Sequence, residues 1–250
     1  MTASGDRLSS EMPKISVLSA TYNVADSIEV LIDSLNAQTS SDFEWIVADG
    51  GSVDGTIELI KERANFPVSV INGPDFGIYD ALNKAVKLAR GDFYVVAGAD
   101  DSFSFDAIDQ YIKLIYSTEA DIVTATVSSN GVMLLPQRGL PWLRGQNAYI
   151  SNHSVGVAIR RSLHERFGFY SKKFPIAADQ LFIKTVCSNK DVNIISGNFT
   201  AGEFSGLGVS SVDIAGLLTE SFRVQLLTEK FRFIQFFLLL YRVINNFHKL

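Results

Sequence analysis

Three acidic positions stand where a chain could do chemistry. An apolar run beginning at Tyr94 ends in two adjacent carboxylates, Asp100 and Asp101. Acids at the carboxyl end of a buried parallel strand lie where open α/β sheets keep their ligands. As hard oxygen donors on a turn they suit Mg²⁺ or Mn²⁺ shared with a substrate diphosphate. Asp49 closes another apolar run and opens the turn Asp49-Gly50-Gly51-Ser52-Val53-Asp54-Gly55-Thr56. Glycines at such a turn allow close backbone approach to a ligand, and an acid ending the strand can accept hydrogen bonds from a nucleobase N–H or a ribose hydroxyl. Asp54 suits a helix cap better. The turn has neither the spaced dinucleotide fingerprint nor the lysine of a P-loop.

These positions need a sheet to hold them. Ile15 to Ala20, Phe43 to Ala48, Val68 to Ile71 and Asp92 to Ala97 read as strands, and helical spacing fills the intervals at Ile28 to Leu35, Ile57 to Ala64 and Gly77 to Leu88. The β-α-β-α-β-α-β order predicts an α/β fold with a doubly wound, mostly parallel sheet. Further on, the pattern predicts a helix over Asp106 to Ser117, a strand over Asp121 to Val127, and a hairpin turn into Val132 to Leu135. From Pro136 to Asn147 no period survives, and a loop of that length is often a functional lid. Asn152 to Ile159 reads as a strand, Asp179 to Ser188 as a helix and Val192 to Ile195 as a last strand.

With 250 residues, 47% hydrophobic and 20% charged, the chain can bury a substantial core. Its net charge of -5 argues against general affinity for nucleic acid. The single cysteine, Cys187, excludes an intramolecular disulfide framework and suits a reducing compartment. Met1 to Lys14 is polar, lacks the apolar core of a secretory signal and reads as a frayed cytoplasmic N-terminus.

Several motifs in order carry a resemblance: Tyr22-Asn23, the Asp49 to Thr56 turn, Gly77-Ile78-Tyr79-Asp80-Ala81-Leu82-Asn83-Lys84, Gly98-Ala99-Asp100-Asp101, and Ala177-Ala178-Asp179. Together they resemble the bacterial family 2 glycosyltransferases of the GT-A (Rossmann-like) fold, in the branch that builds capsular, colanic-acid-type and O-antigen polysaccharides. The likeness covers about residues 14 to 210, divided into a donor half to about 105 and an acceptor half from 106. Residues 211 to 250 form a C-terminal helical tail.

The resemblance implies a nucleotide-diphosphate sugar as donor and a sugar transfer, with inversion, to a hydroxyl of a lipid-linked glycan. It places Thr21, Tyr22 and Asp49 at the base and ribose, and Asp80 and Asn83 near the ribose or diphosphate. Asp100 then meets the ribose and the metal, with Asp101 beside it. Gly98 stands where the fuller pattern has an acid, leaving one metal ligand fewer on the protein. Asp179 matches the catalytic carboxylate, expected to stay ionised at a helix N-terminus. His153 either contacts the diphosphate or metal, or is a structural hydrogen-bonder. Gly206-Leu207-Gly208-Val209-Ser210 matches a loop that closes over the donor.

Between Phe231 and Phe247 apolar residues dominate, but Arg232, Gln235 and Arg242 interrupt them, so nothing approaches the roughly 20 residues of a membrane span. The pattern predicts an amphipathic helix lying in the membrane interface with its cations toward lipid head groups, or else packed on the domain or on a second subunit. The first option places the enzyme at the cytoplasmic face of the inner membrane. Two other classes compete with the transferase reading. A sugar nucleotidyltransferase would want a glycine-rich, basic loop straight after the first strand, and Ser19 to Asn23 has neither. A non-catalytic sugar-nucleotide-binding subunit is kept in view by Gly98.

Overall fold

Side-chain alternation along the central strands decides the layers. Along β1 (Ile15–Thr21), Ile15 and Val17 point into one apolar core while Leu18 points into another, because both faces of the strand are covered. The first core is closed by α1 (Ile28–Asn36), α2 (Thr56–Arg63) and α4 (Ala107–Ser117). The second is closed by α3 (Ile78–Leu88), α6 (Leu163–Phe167) and α7 (Ala178–Cys187). A computed structural model provides this description, for residues 12–205 and 213–249.

The sheet order is β3 (Val68–Asn72), β2 (Phe43–Asp49), β1, β4 (Phe93–Val96), β8 (Val157–Arg160), β6 (Ile122–Ser129), β9 (Ile194–Glu203), β5 (Ser102–Phe103), with β7 (Val132–Leu134) paired to β6. β3, β2, β1, β4, β6 and β9 run one way, and β8, β5 and β7 run against them. The chain moves outward from β1 to β3 and then returns to the other flank of β1 as β4. A crevice therefore opens beyond the carboxyl ends of β1 and β4, where such a switch in strand order leaves room for a ligand. Beneath it the Trp45 indole donates to Ser19 Oγ at 3.0 Å, and that hydroxyl donates to the Ala97 carbonyl at 2.8 Å, tying β2, β1 and β4 together at depth.

Several expectations change. The aperiodic stretch from Pro136 to Asn147 is not an open loop: it folds into a short helix, α5 (Pro141–Arg144), and a 3₁₀ turn (Gly145–Ala148). Its backbone carbonyls are held by side chains from the C-terminal helices, a tertiary cause that local periodicity does not carry. Asn152 to Ile159 is a 3₁₀ turn (Ser154–Gly156) followed by a shorter strand, β8. The last strand, β9, runs on to Glu203 instead of stopping at Ile195.

The tail divides into α8 (Ile214–Thr228) and α9 (Arg232–Asn246). α8 joins the domain: Val224 enters the second core, and buried Glu220 accepts hydrogen bonds from Ile176 N and Ala177 N, satisfying free donors at the start of α7. α9 sits with its polar stripe inward. Gln235 is buried and donates to the Trp142 carbonyl, while Arg242 donates to the Leu143 carbonyl. Phe233, Phe237, Leu240 and Ile244, spaced i, i+4, i+7, i+11 on the opposite side, are exposed. Of the tail's cations, Arg242 thus faces inward while Arg232 is exposed, and the outward face is an apolar stripe. No helix among the described residues is long and apolar enough to cross a membrane.

Candidate active site

The loops after β1 and β2 are knitted into one platform. Asp49 Oδ1 accepts from Gly51 N and Ser52 N, and Oδ2 from Thr21 Oγ1 and Ser52 Oγ, at 2.7 to 3.0 Å. Burial opposes the Asp49 charge, but those bonds outweigh it and hold the carboxyl below its usual range. The positions expected at a base and ribose are therefore engaged with each other, and Thr21 and Asp49 are buried. Asn23 adds to the platform by accepting from Val53 N. Tyr22 differs: its ring is exposed above Gly50, where a Cβ would come within 3.3 Å of it.

Asp80 and Asn83 sit on α3 outside the main cavity. Asp80 is paired with Lys172 and, at 3.4 Å, with Lys84, and these interactions, Lys172 foremost, hold its carboxyl below the ordinary value. Asn83, expected near the donor, bonds the backbone of Tyr170. Its amide donates to the Tyr170 carbonyl at 2.9 Å and accepts from Tyr170 N at 3.0 Å, so both polar atoms close on backbone and none faces the crevice.

A cavity of about 420 Å³ lies at the ends of β1 and β4 and extends to α7. Gly98, Asp100, Asp101 and His153, from the segments after β4 and before β8, line it together with Tyr79 of α3, Gln146 and Asp179 of α7. The structure thus brings Asp100, Asp101, His153 and Asp179 to one enclosure, while Thr21, Tyr22, Asp49, Asp80 and Asn83 do not line it.

The two acids of the strand end have different surroundings. Asp100 is partly exposed and accepts from Ser205 Oγ. Asp101 is 2% exposed, and its Oδ2 accepts from Gly98 N at 2.6 Å. Burial, supported by the Asp100 charge against the Gly98 bond, pushes its carboxyl up to about 7. His153 Nε2 lies 3.7 Å from Asp101 Oδ1, and its ring stacks on Phe204 with centroids 4.2 Å apart. Burial takes His153 down to about 4, so the imidazole stays neutral, and its Nδ1 accepts from Val155 N.

Gly98 has a spatial role. A Cβ there would stand 3.1 Å from Asp100 Oδ1 and 3.2 Å from Asp101 Oδ2, so the glycine leaves room for both carboxylates to turn into the cavity. Among the described residues no three His, Cys, Asp or Glu side chains are gathered closely enough to hold a metal by themselves. The carboxylates of Asp100 and Asp101 fit a partial shell, of the kind diphosphate oxygens complete.

Elsewhere in the cavity lining, Tyr79 Oη donates to Asp179 Oδ1 at 2.6 Å and reaches the Ile176 carbonyl at 3.0 Å. Gly77, with φ 97°, permits the tight entry into α3 that aims Tyr79 across the cavity. Asp179 keeps partial contact with solvent but is densely surrounded. Burial raises its carboxyl above the usual range, against hydrogen bonds from Tyr79, Gln180 N and Gln146. A carboxylate with raised proton affinity, facing a cavity, has the chemistry of a general base.

Sequence reasoning missed Gln146 and Asn147, whose buried carbonyl oxygens have no hydrogen-bond partner among the described residues and lie at the cavity wall. Sugar hydroxyls are the donors such oxygens lack. No local signal marked them. Tyr79 was within reach, being the residue before Asp80 in a motif already singled out. The glycine-rich stretch Gly206 to Ser210 lies outside the described residues.

Comparison with known proteins bears on this arrangement. Residues 16–174 match the family described as Glycosyl transferase family 2. The PGL/p-HBAD biosynthesis glycosyltransferase of Mycobacterium bovis is 28% identical over 216 residues, covering 80% of this chain and 81% of that protein. S. aureus TarS 1-349, solved in complex with UDP-GlcNAc, superposes with a TM-score of 0.64 at 21% identity, covering 93% of this chain and 73% of that one. The mannosyltransferase PcManGT from Pyrobaculum calidifontis, solved with GDP-Man and Mn²⁺, gives a TM-score of 0.65 at 19% identity, covering 90% and 69%. At these identities the two structures speak to the fold.

Proposed function

Because the chain belongs to glycosyl transferase family 2 and is a nucleotide-sugar-dependent glycosyltransferase of the GT-A fold, we propose that its cavity transfers the sugar, with inversion, to a hydroxyl of a lipid-linked glycan in surface polysaccharide synthesis. One observation carries the division of labour: Asp100 and Asp101, after β4, and Asp179, in the first turn of α7, line the same cavity.

In this reading the donor's nucleotide rests over the Thr21–Asp49 platform, with Tyr22 exposed beside the base. Its diphosphate lies at Asp100 and Asp101, which would hold Mg²⁺ or Mn²⁺; the cation, when bound, supplies positive charge to the departing diphosphate. Asp80, held between Lys84 and Lys172, keeps two cations near the mouth of the donor half. Gln146 and Asn147 accept from acceptor hydroxyls. Asp179 takes the proton of the attacking hydroxyl as its oxygen bonds to the anomeric carbon, and the bond to the diphosphate oxygen breaks with its electron pair leaving on the nucleotide diphosphate. A carboxylate opposite the leaving group is the placement that inversion needs.

The domain runs over about residues 14–210, and the tail places it at the cytoplasmic membrane face. The exposed stripe of Phe233, Phe237, Leu240 and Ile244 supports that role, since an apolar helix face of this kind inserts into the head-group boundary. A thermal-shift screen against UDP-, GDP- and dTDP-sugars, with and without Mn²⁺, tests the donor reading. A ligand that binds only the native state raises the melting temperature, and no response to any of them would contradict it.

A further inference from the structure

Next to the main cavity lies a second one of about 250 Å³, and the two share Gln146, Asn147, Gln180 and Leu217. Its remaining wall comes from the junction of α5, α7 and the two tail helices, and it is lined by three cations: Arg144, Lys184 and Arg242. Lys184 is already satisfied. It is 1% exposed, and its ammonium donates to the Pro141 carbonyl, Gln225 Oε1 and Glu229 Oε1.

The two arginines are different. Arg242 is half-buried, and its one side-chain bond runs to the Leu143 carbonyl at 2.7 Å; Arg144 makes a long bond to the Arg138 carbonyl. Among the described residues no carboxylate lies within ion-pair distance of either, while Glu229 is taken by Lys184. Burial works against the Arg242 charge. Guanidinium groups whose forks are largely unused, bordering a cavity, are matched by a phosphate group, which they bind through parallel charge-assisted bonds. Buried positive charge without a partner is otherwise costly.

What lies to either side narrows the occupant. One side leads through Gln146 to Asp179. Arg242 itself belongs to α9, whose opposite side carries the exposed apolar stripe. A ligand fitting all three is amphiphilic: a hydroxyl toward Asp179, an anion at the arginines and a hydrocarbon chain in the layer that the stripe enters. We infer that the second cavity is a phosphate site for the lipid carrier of the acceptor, with Arg144 and Arg242 as its anion ligands. This rests on the lipid-linked acceptor proposed above and adds the place where the carrier is read.

The test uses the full chain and sedimentation with vesicles of phosphatidylcholine alone, or mixed with phosphatidic acid or with phosphatidylserine at equal total charge. The wild type should prefer phosphatidic acid to phosphatidylserine, since a phosphomonoester enters the cavity and a surface charge does not. The double variant Arg144→Gln/Arg242→Gln should lose that preference by about tenfold, the scale of one charge-assisted hydrogen bond, and still bind phosphatidylcholine as the wild type does. Should that variant fail to fold, Arg144→Glu, on an exposed side chain, should abolish the preference alone. Inorganic pyrophosphate distinguishes the source of the anion: stabilisation of the wild type by pyrophosphate with no vesicle preference would mean a soluble phosphate ligand and overturn the lipid assignment. Unchanged preference in the variants would overturn the site. The melting shift with nucleotide sugar is recorded alongside. If it persists while the preference fails, only the phosphate site falls; if it is also absent, the transferase reading falls with it.

Discussion

Tyr79 Oη donates to Asp179 Oδ1 across 2.6 Å, joining the third helix of the donor half to the carboxylate proposed as base, 100 residues further along the chain. Burial and the Asp179 charge push the phenol well above its ordinary value, so it remains a donor. Because this bond favours the ionised carboxylate, Tyr79→Phe should raise the Asp179 pKa further. The base is active when ionised, so the acid limb of the pH–rate profile should move to higher pH. The kcat should fall about 10- to 100-fold, the scale of a hydrogen bond to a charged group, with donor KM little changed. A steady-state pH profile of the variant checks this; an unmoved acid limb would remove Tyr79 from the account.

Asp101 and His153 should hide each other's effect on stability. In the metal-free protein Asp101 has its pKa raised to about 7, so alone it makes folding less stable as pH rises from the ordinary carboxylate range toward 7. His153 is depressed to about 4, so alone it makes folding more stable as pH rises from about 4 to its unfolded value near 6.5. The two slopes oppose each other across one window, and the wild type should show little dependence from this pair. Asp101→Asn should unmask a stability that rises with pH, and His153→Gln one that falls. Urea melts across pH 4 to 7 with chelator present would show both slopes, and parallel curves for all three proteins would refute the pairing.

Asn83 should matter to stability and not to the donor. Asn83→Ala leaves the Tyr170 N–H and carbonyl unpaired in a buried place, at a cost of roughly 1–3 kcal/mol for each group. The melting temperature should drop by several degrees, while donor affinity of the folded fraction, read by titration calorimetry, stays within about twofold. A weakened donor with an unchanged melting temperature would return Asn83 to the ligand.

How much of this could be read beforehand depends on where each cause lies. Asp100 and Asp101 were legible because an apolar run ending in acids marks a strand end, and strand ends are where such sheets keep ligands. Asp49 was equally visible, and three of its four donors come from Gly51 and Ser52 in its own turn, but the fourth, Thr21, comes from a loop pairing that no local pattern displays. Asn83 was visible as a type, but its Tyr170 partner, 87 residues away, was not. Gln146 escaped because α5 and its 3₁₀ turn are held by Gln225, Gln235 and Arg242 from the tail and have no period of their own. In α9 the amphipathic period was plain, but a period defines two faces without saying which one meets the protein. Two long-range hydrogen-bonding side chains, Gln235 and Arg242, set that choice and turned the polar face inward.

The central claim is that Asp179 is the base, facing a donor held at Asp100 and Asp101. Its most direct test compares wild type and Asp179→Asn, using the nucleotide sugar selected by thermal shift, for donor affinity and for the rate of nucleotide release in transfer. The account predicts a loss of rate of about 10²- to 10⁴-fold, the usual contribution of a general base, with donor affinity within about threefold. Transfer by Asp179→Asn at close to the wild-type rate would contradict it.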